Sequence, residues 1–244
     1  MKNKKWHCVY WGGILFNLVV LCLNIWWAHD FNKEDINVCF ENVTIYECEN
    51  KNVFAEENSQ YYNLEQQFMS MYSYPTDVCF VGDSLTMNCP WNELFPEKNI
   101  KNRGIGSDTT NGLLARLDSI IKIKPEKIFL MIGINDFSMG SSVRSTFLNY
   151  MKITKILEEN LPNCKIYIES CLPVSDSRVQ YSSSITELNK LLSDYCEETD
   201  YIYVDLWTSF ADDNGFLKKE YNIDGVHINA KGYENWKRII DDML

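Results

Sequence analysis

The sequence predicts an α/β protein whose parallel sheet is covered by helices on both faces. Five short runs with the look of strands carry that expectation: VCFVG (78–82), NIKN (99–102), KIFLMIG (127–133), KIYIES (165–170) and YIYVDL (201–206). Stretches of helical length separate most of them, at roughly 109–123, 142–160 and 183–197, and a last one spans 231–243. Strand–helix alternation of this kind implies parallel pairing, with helices crossing over the sheet. The 244 residues, 45% hydrophobic and without an internal repeat, suffice for one good-sized core.

Charge narrows the function. A net charge of −11 and a pI near 4.8 repel phosphate backbones, so nucleic-acid binding is excluded as the expected role.

From the N-terminus, MKNKK supplies three lysines before a mostly apolar run from Val9 to Trp27. About 20 apolar residues span a bilayer. Trp6, Tyr10 and Trp11 at one end and Trp26 and Trp27 at the other suit the two headgroup levels. Residues 1–28 are therefore expected to form an N-terminal transmembrane helix. The lysines would stay in the cytoplasm and the remaining chain would lie outside. A cleaved signal peptide is the alternative, but cleavage after Ala28 places bulky Trp26 where a small residue is wanted.

Residues 29–76 read as a stalk. INVCFENVTIYEC suggests two short strands, with Cys39 and Cys48 placed for a bridge. Tyr61, Leu64, Phe68 and Met71 fall at helical spacing, and Tyr74-Pro75 ends that helix. Seven cysteines follow the anchor, an odd number, so at least one is free or pairs with another chain. Cys79, Cys164 and Cys171, in or beside apolar runs, read as small buried hydrophobes. There is no CxxC pair, and His227 is the one histidine after residue 29, so no zinc site is expected.

Residues 77–244 form the expected α/β domain. Its ligands should bind at the carboxyl ends of the strands. GDSLT follows the first run, and Ser84 there is either a helix N-cap or a nucleophile. NRGIGSDTT follows the second. It is either a turn capped by Asp108 or Thr109, or a loop whose backbone N–H groups face a developing anion. In GINDF, after the third, Asn135 either closes a turn or donates its amide to that anion. DGVH stands before the last helix, and one local turn brings Asp224 to His227. A carboxylate there fixes the ring tautomer and leaves the other nitrogen to take a proton. A hydroxyl, a glycine-rich turn, an amide and the only available base thus meet at one sheet edge, which suffices for acyl transfer through a serine.

These four blocks, in this order, resemble the GDSL, or SGNH, hydrolase family from about residue 77 to the end. The resemblance implies a three-layer α/β/α sandwich with a flavodoxin-like, five-stranded parallel sheet. It implies Ser84 as nucleophile, His227 as base and Asp224 as its orienting partner. The oxyanion hole would comprise the Ser84 N–H, Asn135 and a second-block residue. The family has glycine immediately before the second-block aspartate. Here that position is Ser107, with Gly106 one earlier, so either residue can supply that N–H. No metal or organic cofactor is implied. The GxSxG elbow of the separate α/β-hydrolase fold is absent.

The family acts on acetylated sugars, lipids, thioesters and aryl esters. No long apolar lid lies between the blocks, and Trp91, Asn92 and Arg103 near the expected site suit a sugar, while packing for Trp91 and a solvated surface position for Asn92 and Arg103 stand as equal alternatives. The expectation is therefore deacetylation of a small-molecule or glycan ester outside the cytoplasm. Acyl transfer to a glycan and lipase or lysophospholipase action use the same groups and stand as alternatives. A silent glycan-binding module would lack one of the triad residues, and none is missing.

Overall fold

A computed structural model describes residues 59–244. All five runs become strands of one sheet: β1 (Val78–Gly82), β2 (Ile100–Gly104), β3 (Lys127–Met131), β4 (Lys165–Glu169) and β5 (Ile202–Val204). Every pairing is parallel, in the order β2-β1-β3-β4-β5. That is the flavodoxin-like order, and β1 and β3 flank the point where it reverses, where such sheets bind their ligands.

Alternation along the strands assigns the two faces. Val78, Phe80, Phe129, Met131 and Tyr167 belong to one core with residues of three helices. These are Trp91 of α3 (Trp91–Leu94), Phe210 of α9 (Trp207–Phe210) and Trp236 of α10 (Ala230–Ile240). Phe80 stacks on Trp91 at 3.6 Å between ring centroids, and Trp91 meets Trp236 edge-on at 5.3 Å. The opposite-facing Cys79, Val81, Ile128, Leu130 and Ile168 are equally buried. On that side α7 (Val143–Asn160) and α8 (Ser182–Glu197) hold the strand ends. Tyr150 of α7 bonds both backbone groups of Ile132, and Asn189 of α8 bonds both of Cys171.

Between β1 and β3 lie α2 (Ser84–Met87), α4 (Thr110–Ala115) and α5 (Asp118–Ile121); α6 (Ile134–Ser138) follows β3. The single helix expected over 109–123 is thus two, broken where Arg116 turns its side chain inward.

The helix expected before Pro75 is present as α1 (Ser59–Met71), but Leu64, Phe68 and Met71 of the stripe that identified it face solvent. Leu64, Phe68 and Met71 are 46%, 45% and 70% exposed. The buried side is carried by Tyr62 and Met69, a heptad apart, packed with Ile105. The Tyr62 hydroxyl also donates to Gly112 O at 3.1 Å, so part of the expected stalk is packed on the domain.

The transmembrane helix over 1–28 and the Cys39–Cys48 bridge lie outside the described residues. No helix within the described residues is long and apolar enough to cross a membrane. Cys79, Cys89, Cys164, Cys171 and Cys196 are free thiols, all but Cys164 buried.

One buried carboxyl makes stability depend on pH. Glu169, at the end of β4, accepts from Trp236 Nε1 at 2.7 Å. Burial pushes it up to about 8, against the pull of the indole bond. The fold favours its neutral form. Its contribution is therefore complete below the ordinary glutamate range and lost as pH rises through about 8. Glu169→Gln keeps an acceptor and cannot ionise. In urea titrations it should gain on the wild type by a few kcal/mol between about pH 5 and pH 9. A pH-independent difference would contradict this.

Candidate active site

The loop after β1 owes its shape to Gly82. A Cβ there would overlap Met131 O and Thr86 Oγ1, so only glycine lets α2 fold back against the end of β3. The N-cap is Asp83, whose Oδ1 accepts the Leu85 N–H at 2.9 Å. Ser84 is therefore the first helical residue and does not cap the helix. Its backbone N–H is among those a helix leaves without an intrahelical partner. Its Oγ lies 2.8 Å from His227 Nε2.

The DGVH segment is a miniature hairpin. Asn222 and Ile228 form an antiparallel bridge, and Ile223 N donates to His227 O at 2.9 Å. Asp224 Oδ1 accepts the N–H groups of Val226 (3.1 Å) and His227 (2.8 Å). Its Oδ2 is 2.7 Å from His227 Nδ1. Gly225 bridges the two at φ 100°, a left-handed conformation suited to glycine. Its carbonyl accepts the Ser175 N–H at 2.9 Å, tying the hairpin to the loop after β4.

Partial burial works against the Asp224 charge. The His227 amide, its ring and the Val226 amide outweigh that effect and hold the carboxyl down to about 2. An ionised Asp224 can only accept, so Nδ1 donates and Nε2 is left to accept from Ser84.

Asn135 stands near the start of α6, half-buried, and donates one amide hydrogen to Asp108 O at 2.9 Å. The second hydrogen of that amide is available to a ligand. Asp108 is in turn held by Arg116, whose Nε is 2.7 Å from Asp108 Oδ2. Nη2 of the same guanidinium donates to Gly82 O at 3.1 Å. One buried guanidinium therefore joins the loop after β1 to the second loop, and the Asp108 carbonyl joins the second loop to the third. Nearby, Asp136 accepts from the backbone and hydroxyl of Thr110, and burial raises its carboxyl to about 6. Burial likewise pushes Asp83 up to about 7.

Arg116 was missed in the sequence, although it sits with Leu113, Leu117 and Ile120 at core-facing helical spacing, where a lone arginine is a signal. Arg116→Met would leave Asp108 buried and unpaired. It should cost about 3–5 kcal/mol of stability by chemical denaturation. A loss below about 1 kcal/mol would contradict the pairing's importance.

The second loop is a turn, closed by Asp108 N to Ile105 O at 3.2 Å, with Gly106 and Ser107 in its centre. Ser107 has φ 61°, the region where glycine is favoured, which accounts for glycine at this position in the resemblance. Proline cannot adopt that φ, so a Ser107→Pro variant would fail through its ring rather than through a missing N–H. Thr109 caps α4 by accepting the Gly112 N–H at 3.2 Å.

The three residues expected at the substrate are not brought together. Trp91 is 1% exposed and its indole donates to Thr86 O, because its ring completes the aromatic stack on the sheet. Arg103 is 6% exposed, with its guanidinium bonded to the Tyr72 and Asn102 carbonyls, fastening the end of α1 to β2. Asn92 is exposed on α3. Two of these expected contacts are therefore corrected to core and scaffold positions. Among the described residues no cluster of His, Cys, Asp and Glu side chains could hold a metal ion.

A parallel five-stranded sheet with a serine, a histidine and an aspartate hydrogen-bonded in series beyond its strand ends defines a recognisable class of hydrolase. The model of the GDSL-like lipase/acylhydrolase family matches residues 80–234, more than half of the chain, and the chain belongs to that family. It is an ester hydrolase. Platelet-activating factor acetylhydrolase IB subunit alpha1 of Bos taurus is 24% identical over 179 residues, covering 69% of this chain and 75% of the relative. A candidate platelet activating factor from Streptococcus pneumoniae superposes with a TM-score of 0.70 at 27% identity. That match covers 77% of this chain and 92% of the other. An acetylxylan esterase from Geobacillus stearothermophilus shares the fold with a TM-score of 0.57 at 17% identity, covering 69% and 93%.

Proposed function

We propose that this chain removes acetyl groups from the hydroxyls of a carbohydrate or cell-envelope glycan through a Ser84-His227-Asp224 triad. The observation that carries the reading is the unbroken series Asp224 Oδ2, His227 Nδ1, His227 Nε2 and Ser84 Oγ, at 2.7 and 2.8 Å. His227 takes the Ser84 proton as Oγ attacks the ester carbonyl. The oxyanion gathers against the free hydrogen of the Asn135 amide, the Ser84 N–H and the second loop. His227 then gives its proton to the leaving alcohol, and water repeats the sequence to release the acid and restore the serine. The catalytic domain is taken to act outside the cytoplasm, held by residues 9–27.

A small cavity supports the acetyl assignment. It has room for about one water-sized group and is lined by Leu85, Ile134 and Val226, the chain neighbours of Ser84, Asn135 and His227, and by Leu172 and Val174 of the segment after β4. A methyl group suits that space and a long acyl chain does not. Acetate release should be assayed across aryl, alkyl and sugar acetates, with butyrate and octanoate esters in parallel. The reading expects sugar acetates to be cleaved and rates to fall by about tenfold or more from acetyl to octanoyl. Equal or rising rates with acyl length would point to a lipase instead.

A further inference from the structure

A second depression borders the histidine, and nothing in the series of groups around Ser84 uses it. It has a volume of about 460 Å³ and is lined by His227 together with Asn88, Pro90, Leu94, Ile223, Tyr233 and Glu234. That is the size range of small-molecule sites. Its sides are apolar: Pro90 is exposed, Leu94 half-buried, and Ile223 is 64% exposed although it sits next to Asp224. An isoleucine left so open beside a reacting group has apolar surface to cover. The polar ends are Asn88 and Glu234, both exposed, and neither side chain has a hydrogen-bond partner among the described residues.

The geometry points to this groove as the seat of the alcohol half of the ester. The inference rests on the Ser84-His227 reading above. In that reaction His227 Nε2 must hand its proton to the departing alkoxide. The alcohol therefore lies on the histidine side of Ser84, away from Asn135 and the second loop. The groove is a depression that His227 itself lines. Its chemistry selects an uncharged alcohol the size of a sugar ring or two. The C–H face lies on Leu94 and Ile223, and the hydroxyls reach Asn88 and Glu234. The Glu234 carboxylate repels alcohols bearing phosphate or carboxylate groups.

The test compares full-length wild type with Leu94→Asp, Ile223→Asp and Glu234→Lys. The substrates are ethyl acetate, a neutral acetylated methyl glycoside and the same glycoside carrying a phosphate. Each aspartate variant should lower kcat/KM for the neutral glycoside, relative to ethyl acetate, by about tenfold. Glu234→Lys should raise the relative rate on the phosphorylated glycoside by about tenfold. An unchanged ratio of glycoside to ethyl acetate in both aspartate variants would overturn the groove while leaving the triad untouched. A changed preference for acyl length at constant alcohol would assign the groove to the acyl chain and equally overturn the inference. Normal activity in Ser84→Ala would remove the reading on which the groove depends, and the groove with it.

Discussion

Ser84→Ala and His227→Ala should each lower kcat for acetate esters by about 10⁴-fold or more while the protein stays folded. His227 is the only histidine after residue 29, so no neighbour can replace it as the base. Both side chains are only partly buried and lie at strand-end loops, so their loss leaves the core intact. Asp224→Asn gives a finer test. The asparagine oxygen can still accept the Val226 and His227 amides that Asp224 Oδ1 accepts now. Its amide would instead meet His227 Nδ1 as a donor. The ring must then turn its Nε2–H toward Ser84, the wrong tautomer for a base. The Asp224 side chain is 50% exposed, so solvent competes for the imidazole. A loss of about 10²–10⁴ in kcat with little change in stability is expected. Full activity in His227→Ala would remove the mechanism.

Asn135→Ala should reduce kcat by about 10²–10³ with a smaller change in KM, the mark of an interaction made mainly in the transition state. The same side chain also bonds Asp108 O. A loss through loop disorder would lower stability and raise KM as well. Asn135→Asp separates the two effects. It brings a negative charge to the developing oxyanion and should be at least as slow as alanine. Ser107→Gly, by contrast, should be nearly neutral, because it relieves a left-handed serine and keeps the backbone N–H. Loss of activity in a folded Ser107→Gly variant would show that the hydroxyl is in use.

Much of this site is legible in local sequence because local backbone builds it. The D-x-x-H spacing is one turn of a small hairpin, and GDSL is a strand end with the first turn of a helix. Such features need no knowledge of distant contacts. Three of the strands, β1, β3 and β4, were legible for a related reason: they are buried on both faces over most of their length and read as short apolar runs. What the sequence hid depends on tertiary contact. Trp91 reads equally as a sugar platform or as packing, and only the fold decides, because its ring fills the space over Phe80. Arg103 looks like a free cation, yet it fastens α1 to the edge strand. The stripe on α1 identified the helix but not its buried side, because helical spacing reveals an apolar face without saying what covers it. Arg116 went unread because the groups it joins, Asp108 of the second loop and Gly82 at the end of β1, are brought together only by the fold.

The central claim is that His227 activates Ser84 as the nucleophile, and covalent trapping tests it most directly. Wild-type protein should be treated with a fluorophosphonate and digested, and the modified peptide identified by mass spectrometry. The account predicts a single label on Ser84, absent from Ser84→Ala and slowed by about 10³-fold or more in His227→Ala. Labelling at another residue, or labelling of Ser84 at an undiminished rate without His227, would contradict it.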